Sequence, residues 1–291
     1  MNRLMPAIAI CSLLFTLSSP CSYAGPEENV SDLTPEKLIA EHIKSIGSPT
    51  TLSSVKTRAF IGYTDVEFVQ GIFGSIKGSV SSFVSDGEKL QIAMKYGDLN
   101  YPGEYIAYNG KDVSVGHISP GQRSPLGDFL FRFNGIMKMG FVGGTLSLAW
   151  PLLNADEIGT KLKYKKVRIE GRELHRLEWP IQLLGNVRIK MYFEPETFFH
   201  VRTDYVVRIK NDVSTGSSDI MSFSLMPESI YTMIERFDNF RKVSGMTLPH
   251  RYSIEYSIEG QGQSFIGHWT VDAEKWIFNR TFDEMIFEAQ K

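Results

Sequence analysis

The 291-residue chain has two cysteines, Cys11 and Cys21, and both lie in its first 24 residues. Past that point it can form no disulfide, no thiolate metal site and no cysteine nucleophile. It also lacks a run of the roughly 20 apolar residues that a membrane-spanning helix needs. No long basic run exists. The densest cluster, Lys161 to Arg168 (KLKYKKVR), alternates like a strand, and the formal net charge is −2. Nucleic-acid binding therefore has no compositional support. The catalytic motifs H-E-x-x-H, G-x-S-x-G, the P-loop and G-x-G-x-x-G are all missing. Six histidines are present, with no two at metal-ligand spacing. Adjacent acids such as Asp156/Glu157 and Asp283/Glu284 carry no dyad signal, because neighbours in sequence need not point the same way. No enzyme, metal site or cofactor is expected from these residues. No Pro/Ser linker and no repeat divides the chain, so one domain is expected.

What is present begins with a secretory pattern. Arg3 supplies the positive charge, Ala7 to Leu17 (AIAICSLLFTL) the apolar region, and Ser22-Tyr23-Ala24 the small residues of a cleavage site. The expectation is a signal peptide over 1–24 and a mature chain over 25–291 in the periplasm. A lipoprotein signal at Cys21 is the rival, but Pro20 stands where a small residue belongs. A secreted chain of this size without disulfides must hold itself together by a large core. Aromatics, at 12% of residues, supply one.

Thr34-Pro35-Glu36 opens a helix, with Thr34 as N-cap and Pro35 at the first helical position. Leu38, Ile39, His42, Ile43 and Ile46 share one face, and Gly47 ends the helix. Strand patterns follow at 58–68, 75–85, 90–96, 105–108 and 112–118, with Asp86-Gly87 and Asn109-Gly110 as hairpin turns. A second series covers 164–170, 173–179, 187–193, 199–210, 230–241, 249–258 and 264–271. The polar segment 211–218 reads as a loop. Fold class is thus α+β, mainly β: one curved antiparallel sheet, with helices over its concave face.

Between the two meanders the alternation stops. Residues 124–153 are rich in Phe, Met and Gly, and Phe141 to Leu153 (FVGGTLSLAWPLL) carries no charge. Helical pieces are expected at 126–133 and 136–150, weakened by Gly140, Gly143 and Gly144. An uncharged, glycine-punctuated segment in a β-rich chain must cover something. Phe133, Met137, Phe141, Leu146 and Trp150 are expected to face an apolar ligand cavity. Phe60, Phe83, Ile92, Met94, Met191 and Phe193 are expected to form its opposite wall. Two alternatives stay open: a filled core with a role in protein contacts, and an enzyme on an unrelated β scaffold.

Several stretches carry a resemblance. A leading helix ends at Gly47 and is followed by VKTRAFIGY. YNG stands at 108–110, YFEPETFFHVR at 192–202 and FDNFRKVSGMTLPHRYSIE at 237–255, with GFVGGTLSLAWPLL at 140–153. In order and spacing they resemble the bacterial periplasmic lipoprotein-carrier superfamily, with its LolA/LolB-like fold. That resemblance implies an open half-barrel whose cavity holds acyl chains, working without chemistry. It also implies lipid or envelope-lipoprotein partners and a membrane-bound donor or acceptor. A basic residue on an early strand engages the lid in that family, and Arg58 is the matching position here.

Overall fold

The structure, a computed structural model, describes residues 33–70, 74–153, 162–179, 187–209, 228–260 and 263–289. The expected signal peptide, the leader before Leu33 and the loop at 211–218 lie outside these residues.

Two helices open the described chain, α1 (Pro35–Ile46) and α2 (Pro49–Ser54). Five strands follow: β1 (Thr57–Gln70), β2 (Ser75–Asp86), β3 (Lys89–Tyr96), β4 (Gly103–Tyr108) and β5 (Val113–Val115). Helices α3 (Pro125–Arg132) and α4 (Gly135–Lys138) come next. The second series is β6 (Lys163–Ile169), β7 (Arg172–Trp179), β8 (Val187–Phe193), β9 (His200–Ile209), β10 (Ser229–Val243), β11 (Met246–Gly260) and β12 (Gln263–Phe278). All twelve strands join one sheet in the order β5-β4-β3-β2-β1-β12-β11-β10-β9-β8-β7-β6. Each neighbour is antiparallel: within each series every strand returns beside the one before it, and β1 pairs antiparallel with β12. The first and last strands pair with each other and join the two meanders. The sheet stays open, with β5 and β6 as its edges.

Register places the apolar side chains in a row. Phe60 faces Phe83 across β1/β2, Phe83 faces Ile92 across β2/β3, and Phe60 faces Trp276 across β1/β12. The sheet curves toward this row. Phe83 on β2 and Tyr252 on β11 are three strand spacings apart, about 14 Å in a flat sheet. Their ring centroids are nevertheless 6.4 Å apart. This is the expected half-barrel.

Helix α1 starts as its residues dictate: the Lys37 amide donates to Thr34 Oγ1, and Pro35 needs no donor. It buries Leu38, Ile39, His42 and Ile46. Ile43, expected on the buried face, is only half-buried. The helix is turned so that His42 points inward, where its ring bonds the Phe198 carbonyl at 2.9 Å. Ile46 packs with Val55, Met246 and Leu248 at one end of the concave face.

One expected element is corrected. Residues 136–150 are not a helix: α4 makes one turn, and a 3-10 turn covers Gly144–Leu146. Gly140, Gly143 and Gly144 all have left-handed backbone, at φ 74°, 84° and 45°. An α-helix cannot continue through such residues, so the segment folds into consecutive tight turns.

Candidate functional site: a covered concave face

The segment from Met137 to Leu152 lies over the concave face. Met137, Phe141, Val142, Leu146, Trp150 and Leu152 are each at most 3% exposed. Trp150 stands edge-on to His200 at 4.1 Å between centroids and is tilted against His42 at 5.8 Å. His42 in turn meets Phe193 at 4.9 Å. Phe141 packs edge-on against Trp179 on β7 at 4.8 Å. A Cβ placed on Gly143 would come within 2.7 Å of the Phe83 ring, so only glycine lets the backbone lie this close to that ring.

Polar groups from four strands hold the backbone of this cover. Arg58 on β1 is 1% exposed and donates from Nη1 to the Thr145 carbonyl at 2.6 Å. Burial lowers its pKa to about 10. Ser85 on β2 accepts the Leu148 amide at 2.8 Å. Glu235 on β10 is fully buried and accepts the Gly143 amide at 2.8 Å and the Tyr252 hydroxyl. Tyr205 on β9 places its hydroxyl 3.0 Å from the Phe141 carbonyl and 2.6 Å from Glu235 Oε2.

That last geometry constrains a proton. One hydroxyl carries one proton, which cannot serve both acceptors. Both contacts are made if Glu235 is protonated at Oε2 and donates to Tyr205, which then donates to Phe141. Burial drives Glu235 toward the same neutral form by raising its pKa.

Several buried polar atoms here have no hydrogen-bond partner among the described residues: Arg58 Nε, Thr145 Oγ1, Trp150 Nε1 and His200 Nδ1. All four belong to the cover or to the side chains against it. Each such atom costs about 1–3 kcal/mol of lost solvation. Burial also drives both neighbouring histidines neutral, with the His42 pKa lowered to about 4 and that of His200 lowered well below the usual range.

The residues read from the sequence fall as follows. Phe60, Phe83 and Ile92 form the buried row of β1–β3, and Met191 and Phe193 are buried on β8. Met94 is buried beside them in sequence and also borders a groove of about 380 Å³ with Val80, Tyr105 and Glu104. Phe133 is half-buried and packs on Phe129 and Tyr231 at the margin. Of three cavities bounded by described residues, about 370, 380 and 250 Å³, only the one at Met94 is bordered by a residue expected to line a pocket. The cover's own side chains occupy the concave face. Ser85, Tyr205, Glu235, Tyr252 and His200 were not anticipated. Their signal was parity: Met233, Glu235 and Phe237 alternate inward on β10, so an acid stands where apolar side chains belong.

A second buried carboxylate lies under α3. Glu104 accepts from the Tyr101 hydroxyl and from Ser124 Oγ at 2.8 Å, and Trp269 Nε1 donates to the Tyr101 hydroxyl at 2.7 Å. Burial raises the Glu104 pKa to about 7. Ser124 also caps α3 by accepting the Gly127 amide, so this cluster anchors the segment that leads into the cover. Among the described residues, no group of three or more His, Cys, Asp or Glu side chains is placed to hold a metal ion.

No family model and no curated protein matches the chain. Among solved structures, it is similar to a LolA superfamily protein from Nitrosomonas europaea. Identity is 12%, over 88% of this chain and 98% of the other, with a TM-score of 0.43. It is likewise similar to a Vibrio parahaemolyticus domain described as an outer membrane lipoprotein-sorting protein. There identity is 8%, coverage 87% and 95%, and the TM-score 0.43. The Mycobacterium tuberculosis lipoprotein LppX aligns at 13% identity over 84% and 96% of the two chains, with a TM-score of 0.22. No residue's role is transferred from them.

Proposed function

We propose that this chain is a non-catalytic binding or carrier protein for lipids or other acyl ligands in the periplasm, and that the closed cover marks its unloaded state. Envelope lipoproteins are the larger class of cargo that the same face would take. The reading rests on how the cover is held. A permanent core can be closed by apolar contacts, and a buried ion or acid adds little to its stability. Here Arg58, Glu235, Tyr205 and Ser85 hold the cover through its backbone, while four polar atoms around it have no partner among the described residues. Left-handed glycines at 140, 143 and 144 set its path. Opening would give those groups water and expose Phe60, Phe83, Ile92 and Phe193 to an acyl chain. Arg58 has the lid-contact role in this reading.

The test is a titration of the delipidated protein with fatty acids of increasing length. Each buried methylene contributes about 0.8 kcal/mol, so affinity should rise about fourfold per carbon until the face is filled. Trp150→Ala should shift that series. Affinity independent of length, or no binding, rejects the carrier reading. It would favour the second one, a structural envelope protein with a filled core and a role in protein contacts, which the occupied concave face supports.

A further inference from the structure

The opposite face of the sheet carries a separate arrangement. Around a cavity of about 370 Å³ stand three arginines, Arg172, Arg202 and Arg236. Arg202 on β9 and Arg236 on β10 are direct cross-strand partners. Arg236 alternates with Glu235 and Phe237, so it points away from the cover. Two like charges placed opposite each other repel. A carboxylate shared by the two comes from the tip of the β6/β7 hairpin: Glu170 Oε1 accepts from Arg202 Nη1 at 2.9 Å and from Arg236 Nη2 at 3.3 Å. Arg172, two residues on, pairs with Glu194. The tip thus reaches across to β9 and β10. The cavity beneath it has an apolar wall made by Leu174, Val201 and the stacked pair Phe199/Phe240, 4.4 Å between centroids.

Glu170 is the loosest member of this set. Its side chain is 65% exposed, and its backbone is left-handed at φ 51°. Both arginines keep a second carboxylate without it: Arg202 bonds Asp204 at 2.5 Å, and Arg236 bonds Glu255 at 2.9 Å. The guanidinium pair is therefore fixed from below, while its outer anion is held by water-exposed pairs worth little. An incoming anion with two or more oxygens can take the place of Glu170, since planar guanidinium forks match such heads.

We infer that this cavity binds a short anionic amphiphile, its head on Arg202 and Arg236 and its apolar body against Leu174, Phe199 and Phe240, with Glu170 as a built-in stand-in for the head group. The site is distinct from the covered concave face and does not depend on it.

Amide NMR shifts of the whole delipidated protein test the inference, with decyl phosphate as probe. Decyl maltoside supplies the same chain without charge, and inorganic phosphate the head without a chain. Decyl phosphate should shift amides at 169–172, 199–202 and 236–240 saturably, and more weakly at high salt. Glu170→Gln should tighten it by about tenfold, because the competing pairs are gone. Glu170 is exposed, so this variant leaves the fold intact, and the arm without substitution stands by itself. Four outcomes overturn the inference: no saturable shift at these amides, equal binding of decyl maltoside, equal binding of inorganic phosphate, or weaker binding by the Glu170→Gln protein. Shifts confined to 141–150 would assign the probe to the concave face and overturn it as well.

Discussion

Gly144→Ala separates a movable cover from a solid core. A Cβ on Gly144 would stand 2.8 Å from His200 Cε1 and 2.8 Å from Phe237 Cζ, and nearer still to the Trp150 ring. All three rings are packed from several sides, so none can retreat freely. The backbone is left-handed at φ 45°, which costs a non-glycine residue about 1–2 kcal/mol. Overpacking adds about 1–3 kcal/mol. The closed arrangement should therefore lose about 3 kcal/mol, roughly a hundredfold in its equilibrium constant. His200 on β9 and Phe237 on β10 meet this Cβ only while the cover is closed, so an independent cover confines the loss to itself.

Hydrogen exchange reads this directly. The amides of Gly143 and Leu148 are held by Glu235 and Ser85. They should exchange roughly a hundredfold faster in Gly144→Ala, while the paired amides of β10 and β11 around Met233 and Tyr256 keep their rates. The loss in global stability would then be capped at the free energy of opening the cover. A fall in protection by the same factor in every slow amide would falsify the idea of an independent cover. A drop of about 10 °C in thermal midpoint would accompany that outcome, as about 3 kcal/mol implies for a cooperative domain of this size.

Further expectations follow from single side chains. Glu235→Gln can donate to Tyr205 and accept from Gly143 and Tyr252, as the neutral acid does. A raised carboxyl pKa contributes stability below about 4.5 that is lost as pH rises through the folded value. The Gln protein should thus match the parent near pH 4 and keep its Gly143 amide better protected at pH 8; equal protection at both pH values would show that Glu235 is ionised in the closed form. His42, lowered to about 4, acts in the opposite direction: its contribution, on the order of 3 kcal/mol, is complete above pH 6.5 and lost as pH falls toward 4, so denaturant midpoints of His42→Leu should vary less with pH over that window. Leu38→Ala, at a fully enclosed site, should cost about 2–5 kcal/mol in urea unfolding, and Ile43→Ala, half-exposed, clearly less. Intact-mass measurement of the secreted protein should find Gly25 at its N-terminus, and an acylated Cys21 would reverse that expectation.

The sheet was legible because its information is local. Strands announce themselves by alternation, turns by Asp86-Gly87 and Asn109-Gly110, and the row Phe60–Phe83–Ile92 by parity alone. Val187 to Phe193 has the same bounds in sequence and structure. The cover was legible as a composition but not as a conformation. Its apolar residues suit a helix at 136–150, and the glycines only lower that propensity on average. What decides the path is that Gly140, Gly143 and Gly144 are all left-handed, and a single residue type does not reveal which side of φ it takes.

The polar latch was the least legible part, for a reason of distance. Glu235 and Gly143 are 92 positions apart, and Arg58 and Thr145 are 87. Each strand alone shows only a charged residue at an inward position: Arg58 two before Phe60, Glu104 two before Ile106, Glu235 two before Phe237. On an edge strand such a charge usually keeps other strands away. None of these three is on an edge strand, because β1 lies inside the sheet, as do β4 and β10. A charge that is inward and also inside the sheet must be satisfied by whatever lies across the concave face. That rule pairs Arg58 and Glu235 with the cover on parity and strand order alone. It also fits the bonding of the cover through its backbone, since FVGGTLSLAWPLL has no charged side chain to pair with them. A segment held through its own amides and carbonyls can exchange those bonds for water when it lifts, and the apolar row beneath is then free for an acyl chain.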